Sequence, residues 1–144
     1  MIKTILVLNG PNLNMLGVRE PEIYGRETLA DIRQLCERTA QPHGLTIDFR
    51  QSNHEGELVS WIQESRGKVA GLIINAAGYT HTSVAIHDAL KLLEVPVVEV
   101  HLSDPEKRES FRHISYVTPV ATKVIKGLGA NGYAEAVLWF TQKG

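Results

Sequence analysis

Short apolar runs and amphipathic segments of helical period take turns along this chain, and few folds accept such an alternation. Ile2 to Leu8 is mainly β-branched and apolar and stops at Asn9-Gly10-Pro11-Asn12, so it reads as a strand buried on both faces followed by a turn. From Glu27 the residues Leu29, Ile32, Leu35 and Cys36 recur at helical spacing, and His43-Gly44 closes the element. Leu45 to Arg50 alternates as a second strand, and Leu58, Val59 and Ile62 mark a helix ending near Gly67. Val69 to Ile74 repeats the buried-strand pattern and stops at Asn75, and Thr82 or Ser83 suits the cap of a helix carrying Val84, Ile86, Ala89, Leu90 and Leu93. Pro96 to Val100 reads as a fourth strand, Tyr116-Val117-Thr118 as a fifth, and Ala134 to Phe140 as a last helix. The expectation is an α/β fold: one domain over residues 1–144, a doubly wound parallel sheet of about five strands, right-handed crossovers, and helices on both faces.

Composition narrows the classes of function. Fifteen basic against 16 acidic residues disfavour a sequence-independent binder that tracks nucleic-acid phosphates. The single cysteine, Cys36, leaves no internal disulfide and no zinc spacing. The apolar part of the N-terminal run is too short for a secretory signal, and no apolar run approaches the roughly 20 residues of a membrane span. These features predict a soluble cytoplasmic protein without a nucleic-acid or membrane partner.

In parallel α/β sheets ligands bind beyond the carboxyl ends of the strands. There the chain places Asn9 to Asn14, Gln51-Ser52-Asn53-His54-Glu55, Asn75 with Tyr79-Thr80-His81, and His101-Leu102-Ser103. Other apparent motifs lack their context. Gly127-Leu128-Gly129-Ala130-Asn131-Gly132 spells GxGxxG, but too little chain follows for the rest of a dinucleotide unit, so it reads as a glycine loop before the last helix. His81, Ser83 and Asp88 crowd one helix start without a nucleophile elbow. The histidines form no close ligand pair; His43 reads as a surface residue at a helix end, and His54 as either part of a helix cap or a wall of the site.

Two segments carry more. Gly17 to Gly25 is a charged, glycine-bounded connection that suits either a mobile lid or a solvated loop, and it holds Tyr24 with Arg19 and Arg26 near by. A phenol serves as a base at neutral pH only when a cation stabilises its anion. In Val98 to Ser103, strand alternation puts Glu99 and His101 on one face, where a carboxylate orients an imidazole, as a structural pair or a working one. Arg108 and Arg112 stand four apart, a spacing that suits a carboxylate clamp and equally a solvated face. A base, an acid, amides and a clamp, with no cofactor motif, suit proton abstraction next to a carbonyl followed by elimination.

Asn9-Gly10-Pro11-Asn12-Leu13-Asn14-Met15-Leu16-Gly17-x-Arg19-Glu20-Pro21-x-x-Tyr24-Gly25, Gln51-Ser52-Asn53-x-Glu55-Gly56, Tyr79 to Ile86, Glu99 to Ser103 and Arg108-Glu109-x-Phe111-Arg112-His113 together resemble type II 3-dehydroquinate dehydratase, in order and spacing, over nearly the whole chain. The resemblance implies a flavodoxin-like fold and a hydro-lyase that turns 3-dehydroquinate into 3-dehydroshikimate and water on the shikimate route, with no cofactor and no metal. At matching positions it implies Tyr24 as base, Arg19 as its activator, His101 with Glu99 as acid, and Asn12 as a stabiliser of the enolate. Asn75, His81, Arg112 and the backbone at Leu102 and Ser103 would hold substrate, while Asp88 would reach a neighbouring subunit's site in a trimer-based dodecamer. The chain departs from the resemblance at His87, Asp104-Pro105-Glu106 and Ile114, positions that bear on subunit contacts and on none of the matched catalytic residues. A flavodoxin-like module holding a small anion or flavin mononucleotide without turnover is the rival expectation.

Overall fold

A computed structural model describes residues 3–18 and 20–142. Five parallel strands, β1 (Lys3–Asn9), β2 (Leu45–Gln51), β3 (Gly71–Asn75), β4 (Val97–His101) and β5 (Lys123–Lys126), form one sheet in the order β2-β1-β3-β4-β5. Between and after them come α1 (Pro21–Tyr24), α2 (Leu29–Ala40), α3 (Glu55–Ser65), α4 (Val84–Leu90) and α5 (Asn131–Thr141).

The period of two in the strands divides the core into two layers. Ile5 and Val7 of β1, Ile73 of β3 and Val98 and Val100 of β4 face α2 and α5, where Ile32, Cys36, Tyr133, Ala136 and Val137 are buried. Leu6, Leu8, Leu72 and Ile74 face the opposite way, onto Leu58 and Ile62 of α3 and Ile86, Ala89 and Leu90 of α4. Truncating one of these side chains, such as Ile73, to alanine costs about 2–5 kcal/mol.

Local signals place the helix starts. Thr28 Oγ1 accepts from the Asp31 N–H at 3.2 Å while Asp31 Oδ2 accepts from the Thr28 N–H at 3.0 Å, a reciprocal cap at the start of α2. Ser83, not Thr82, caps α4, its Oγ accepting from the Ile86 N–H at 2.9 Å.

Two expectations are corrected. Tyr116-Val117-Thr118 is no strand: Val117 is buried, the chain turns in a 3-10 segment at Thr118–Val120, and the fifth strand is Lys123–Lys126. That strand pairs with β4 alone and carries lysines at both ends, the marks of a short, charged edge. The last helix begins at Asn131 rather than Ala134, which brings Tyr133 into it. Among the described residues no helix is long and apolar enough to cross a membrane.

The strand order reverses between β1 and β3, because β2 lies on one side of β1 and β3 on the other. Loops leaving the ends of β1 and β3 therefore diverge over opposite faces and open a crevice between them. Their roots stay close: the Gly10 N–H donates to Asn75 O at 2.8 Å, and a Cβ at Gly10 would collide with the Ala76 carbonyl.

Candidate active site

The crevice is a cleft of about 410 Å³ at the carboxyl ends of β1, β3 and β4. The loop after β1 lines it with Pro11, Asn12 and Leu13, and α1 adds Tyr24. From β3 and the turn beyond it come Asn75, Ala77, Gly78 and His81. From β4 and the two 3-10 turns that follow come His101, Leu102, Ser103, Arg108 and Arg112.

Tyr24 and Arg108 meet here. Arg108 Nη1 donates to Tyr24 Oη at 2.6 Å, and the guanidinium carbon lies 5.0 Å from the centre of the phenol ring. Arg108 is held from behind, since the His113 ring Nε2 lies 3.0 Å from the Arg108 carbonyl and donates to it. Arg112 Nε donates to Glu109 Oε1 at 2.9 Å, which sets the second guanidinium on the rim. Both arginines reach the cleft, with Arg108 turned to the phenol and Arg112 to Glu109.

His101 is buried and its ring Nε2 lies 2.5 Å from Glu99 Oε2. Glu99 is almost fully buried and sits behind His101 rather than on the cleft wall. It accepts further bonds from Ser115 Oγ at 2.9 Å and Thr118 Oγ1 at 2.6 Å. Burial pushes its carboxyl pKa up, but the His101 ring and the two hydroxyls more than offset that and hold it below the usual carboxylate range. Glu99 is therefore an anion at neutral pH, and an imidazole bonded to it by one nitrogen is fixed in tautomer and orientation.

His81 has the reverse setting. Its Nδ1 lies 2.7 Å from Ile114 O, and because a carbonyl only accepts, Nδ1 carries the hydrogen. Burial lowers its pKa, the hydrogen bond to Ile114 raises it, and His101 and Arg112 lower it again, for a net shift downward. At neutral pH His81 is a neutral ring whose Nε2 is an acceptor, suited to a substrate hydroxyl.

Two non-glycine residues of the cleft have left-handed backbone, Asn12 at φ 71° and Ala77 at φ 53°. Such conformations persist where neighbours fix them. The Asn12 N–H donates to Asn53 Oδ1 at 2.9 Å, and the Ala77 N–H donates to Asn75 Oδ1 at 3.1 Å. Gln51 Nε2 braces the first loop from below, 3.1 Å from Gly10 O and 3.2 Å from Asn53 Oδ1.

Of the residues singled out in the sequence, Asn12, Tyr24, Asn75, His81, His101, Leu102, Ser103 and Arg112 line the cleft. Asp88 is exposed on α4 and lines none of it, and His54 is exposed at the start of α3, outside the cleft and without a capping bond. Arg19 lies outside the described residues. Sequence reasoning missed Ser115 and Thr118 as partners of Glu99, and it missed Tyr133. Only Tyr133 left a trace, in the helical spacing of Tyr133, Ala136, Val137 and Phe140. The GxGxxG stretch, read as a glycine loop, proves to brace the site: the Gly127 N–H donates to Ser103 O at 3.1 Å and the Gly129 N–H to Leu102 O at 3.0 Å.

Residues 3–141 match the family model for dehydroquinase class II. The chain belongs to the class II dehydroquinase family. Within that family it is 61% identical to 3-dehydroquinate dehydratase 2 of Pseudomonas putida, over 96% of this chain and 93% of the relative. It is 56% identical to 3-dehydroquinate dehydratase 2 of Pseudomonas aeruginosa, over 99% and 97%. Among solved structures, the type II dehydroquinase from Propionibacterium acnes superposes with a TM-score of 0.94 at 42% identity, covering 99% of this chain and 98% of that one. The resemblance read from the motifs is thereby borne out as a family, and class II dehydroquinase membership does not favour a binding module without turnover.

Proposed function

We propose that this class II dehydroquinase is a hydro-lyase that dehydrates 3-dehydroquinate to 3-dehydroshikimate on the shikimate route, within one catalytic domain. The observation that carries the reading is the presence, in one cleft, of a phenol bonded to a guanidinium and an imidazole bonded to a buried carboxylate. Elimination next to a ketone needs both: a base for the α-proton and an acid for the departing β-hydroxyl.

Tyr24, as phenolate, takes the α-proton, and the electron pair moves onto the ketone oxygen as an enolate. The Arg108 guanidinium donates to the phenol oxygen, and Arg19 from the same connection as Tyr24 acts as its activator. Asn12 faces the enolate oxygen. When the enolate collapses, the β-hydroxyl leaves with a proton from His101, whose ring Glu99 orients, and water is the second product. Arg112 receives the substrate carboxylate, and His81, Asn75 and the backbone at Leu102 and Ser103 hold its hydroxyls. Each step uses groups of the chain alone, and the reading requires neither metal nor cofactor.

Asp88, exposed on α4, is assigned to a neighbouring subunit's cleft in a trimer-based dodecamer. Phe111 and Ile114, 64% and 61% exposed, support that reading as apolar surface a neighbour would cover. The enzyme is placed in the cytoplasm by the same reading.

The test is direct: purified protein is mixed with 3-dehydroquinate and the conjugated enone of the product is followed by ultraviolet absorbance. A steady rise is expected. A well-folded sample that gives no rise overturns the function.

A further inference from the structure

Tyr133 is fully buried in the first turn of α5, yet its hydroxyl reaches the ends of two strands. It donates to Asn9 Oδ1 at 2.7 Å and accepts from Asn75 Nδ2 at 3.0 Å. Asn9 and Asn75 face each other as the last paired residues of β1 and β3, at the reversal of strand order. Their other amide atoms are also engaged, Asn9 Nδ2 with Arg50 O at 2.9 Å and Asn75 Oδ1 with the Ala77 N–H at 3.1 Å. One phenol hydroxyl thus ties together the strand end that launches the Asn12 loop, the strand end that launches the Ala77 turn, and a helix behind the sheet.

From this geometry we infer that Tyr133 is a positioning residue for substrate binding, acting through Asn75 and the Ala77–Gly78 turn without touching substrate. The chain of contacts is short. Asn75 lines the cleft, and the orientation of its amide is set at both ends, by Tyr133 and by the Ala77 N–H. Ala77, whose φ of 53° is costly for an alanine, lines the cleft too and is fixed by that same amide. Without the Tyr133 hydroxyl, Asn75 Nδ2 and Asn9 Oδ1 would be buried without this partner, and the Asn75 amide would be free to turn towards another one. Burial keeps the phenol protonated, since it pushes the Tyr133 pKa upward, so the hydroxyl donates at every working pH. Tyr24 on α1 bonds Arg108 and His101 on β4 bonds Glu99, both outside this network.

The proposal rests on the reading of the function above, and the two fail differently. Tyr133→Phe removes the hydroxyl and keeps the ring, and steady-state kinetics with 3-dehydroquinate are compared with the wild type. The expected result is a KM raised at least fivefold, with kcat within about threefold and its pH profile unshifted. A merely structural role would lower the folded fraction and hence kcat, leaving KM unchanged. Val137→Ala, which thins the same helix without touching the network, serves as that control and should keep the wild-type KM. If Tyr133→Phe does not fold, Asn9→Leu replaces it: Asn9 lines no part of the cleft, and its loss takes the acceptor from the Tyr133 hydroxyl, so KM must again rise. A KM within twofold of wild type in the folded variant, or an equal rise in Val137→Ala, overturns the proposal. A wild type that does not turn over 3-dehydroquinate overturns the functional reading and this proposal with it.

Discussion

Arg108 Nη1 lies 2.6 Å from Tyr24 Oη although the two residues stand 84 positions apart in sequence, so the cation beside the phenol comes from across the cleft rather than from the phenol's own connection alone. In Arg108→Leu the guanidinium is gone and the Tyr24 oxygen loses a charged donor. A hydrogen bond to a charged group is worth about 1.5–3 kcal/mol, so kcat should fall by about 10- to 100-fold. Arg108→Lys keeps the charge but not the planar fork and should fall between. Steady-state rates at neutral pH check this, and an Arg108→Leu enzyme within twofold of wild type would show that Tyr24 does not depend on it.

Tyr24→Phe retains the ring that Arg108 covers but removes the atom proposed to take the proton. General-base catalysis is worth roughly 10²- to 10⁴-fold, and turnover should drop by that range while substrate still binds. Retention of more than about a tenth of the wild-type kcat would send the search to another base.

His101→Ala separates the two halves of the reaction. Loss of water should fall strongly, whereas exchange of the α-proton of 3-dehydroquinate with deuterated solvent should continue, since Tyr24 and Asn12 remain. Mass spectrometry of recovered substrate reads the exchange, and its disappearance together with elimination would contradict separate roles. Circular dichroism must accompany the assay, because Glu99 is left buried without its imidazole and removing one partner of a buried pair costs about 3–5 kcal/mol.

Glu99 also makes an acid-side stability prediction. Its pKa in the folded chain lies below its ordinary 4.5, so the unfolded chain binds the proton first as pH falls. The stabilisation by ionised Glu99 is fully present above pH 4.5 and drains away as pH drops through the lower folded value. Thermal melts from pH 6 to 3 should therefore fall less steeply for Glu99→Gln than for wild type. His81, whose lowered pKa costs stability as pH falls below its ordinary 6.5, adds to the slope in both proteins, and slightly more in Glu99→Gln because the Glu99 charge raises the His81 pKa, so the comparison is read below pH 4.5. Parallel melting curves would remove Glu99 as the source.

Cys36 should be chemically silent. It is fully buried on α2, and burial, with the Glu37 charge adding to it, pushes its thiol up to about 12. At pH 8 a thiol reagent should label the native protein only at the rate of unfolding and label it at once in denaturant. Rapid native labelling would mean that α2 opens far more readily than its packing implies.

How far the sequence could be read follows from the range of each interaction. Strands β1, β3 and β4 are buried on both faces, so their continuous apolar runs announce them, and the Glu99–His101 pairing follows from a period of two. Strand β5 is a four-residue edge whose lysines hide its apolar residues, and Tyr116-Val117-Thr118, richer in strand-forming residues, attracts the assignment instead. What that segment supplies is polar: Ser115 and Thr118, turned onto Glu99. The meeting of Arg108 with Tyr24, and of Tyr133 with Asn9 and Asn75, spans distances in sequence over which no local pattern carries information.

The bracing of the cleft by residues 127–133 sets an order on its construction during synthesis. A chain leaves the ribosome N-terminus first, and β1, β3 and β4, with every side chain assigned to the chemistry, emerge before the glycines that hold Leu102 and Ser103 or the phenol that joins Asn9 to Asn75. Until those last supports arrive, Leu102 O, Ser103 O and the amides of Asn9 and Asn75 lack these partners. A ribosome stalled with residue 126 at the tunnel mouth would hold a chain complete in its cleft side chains and still short of every one of these ties.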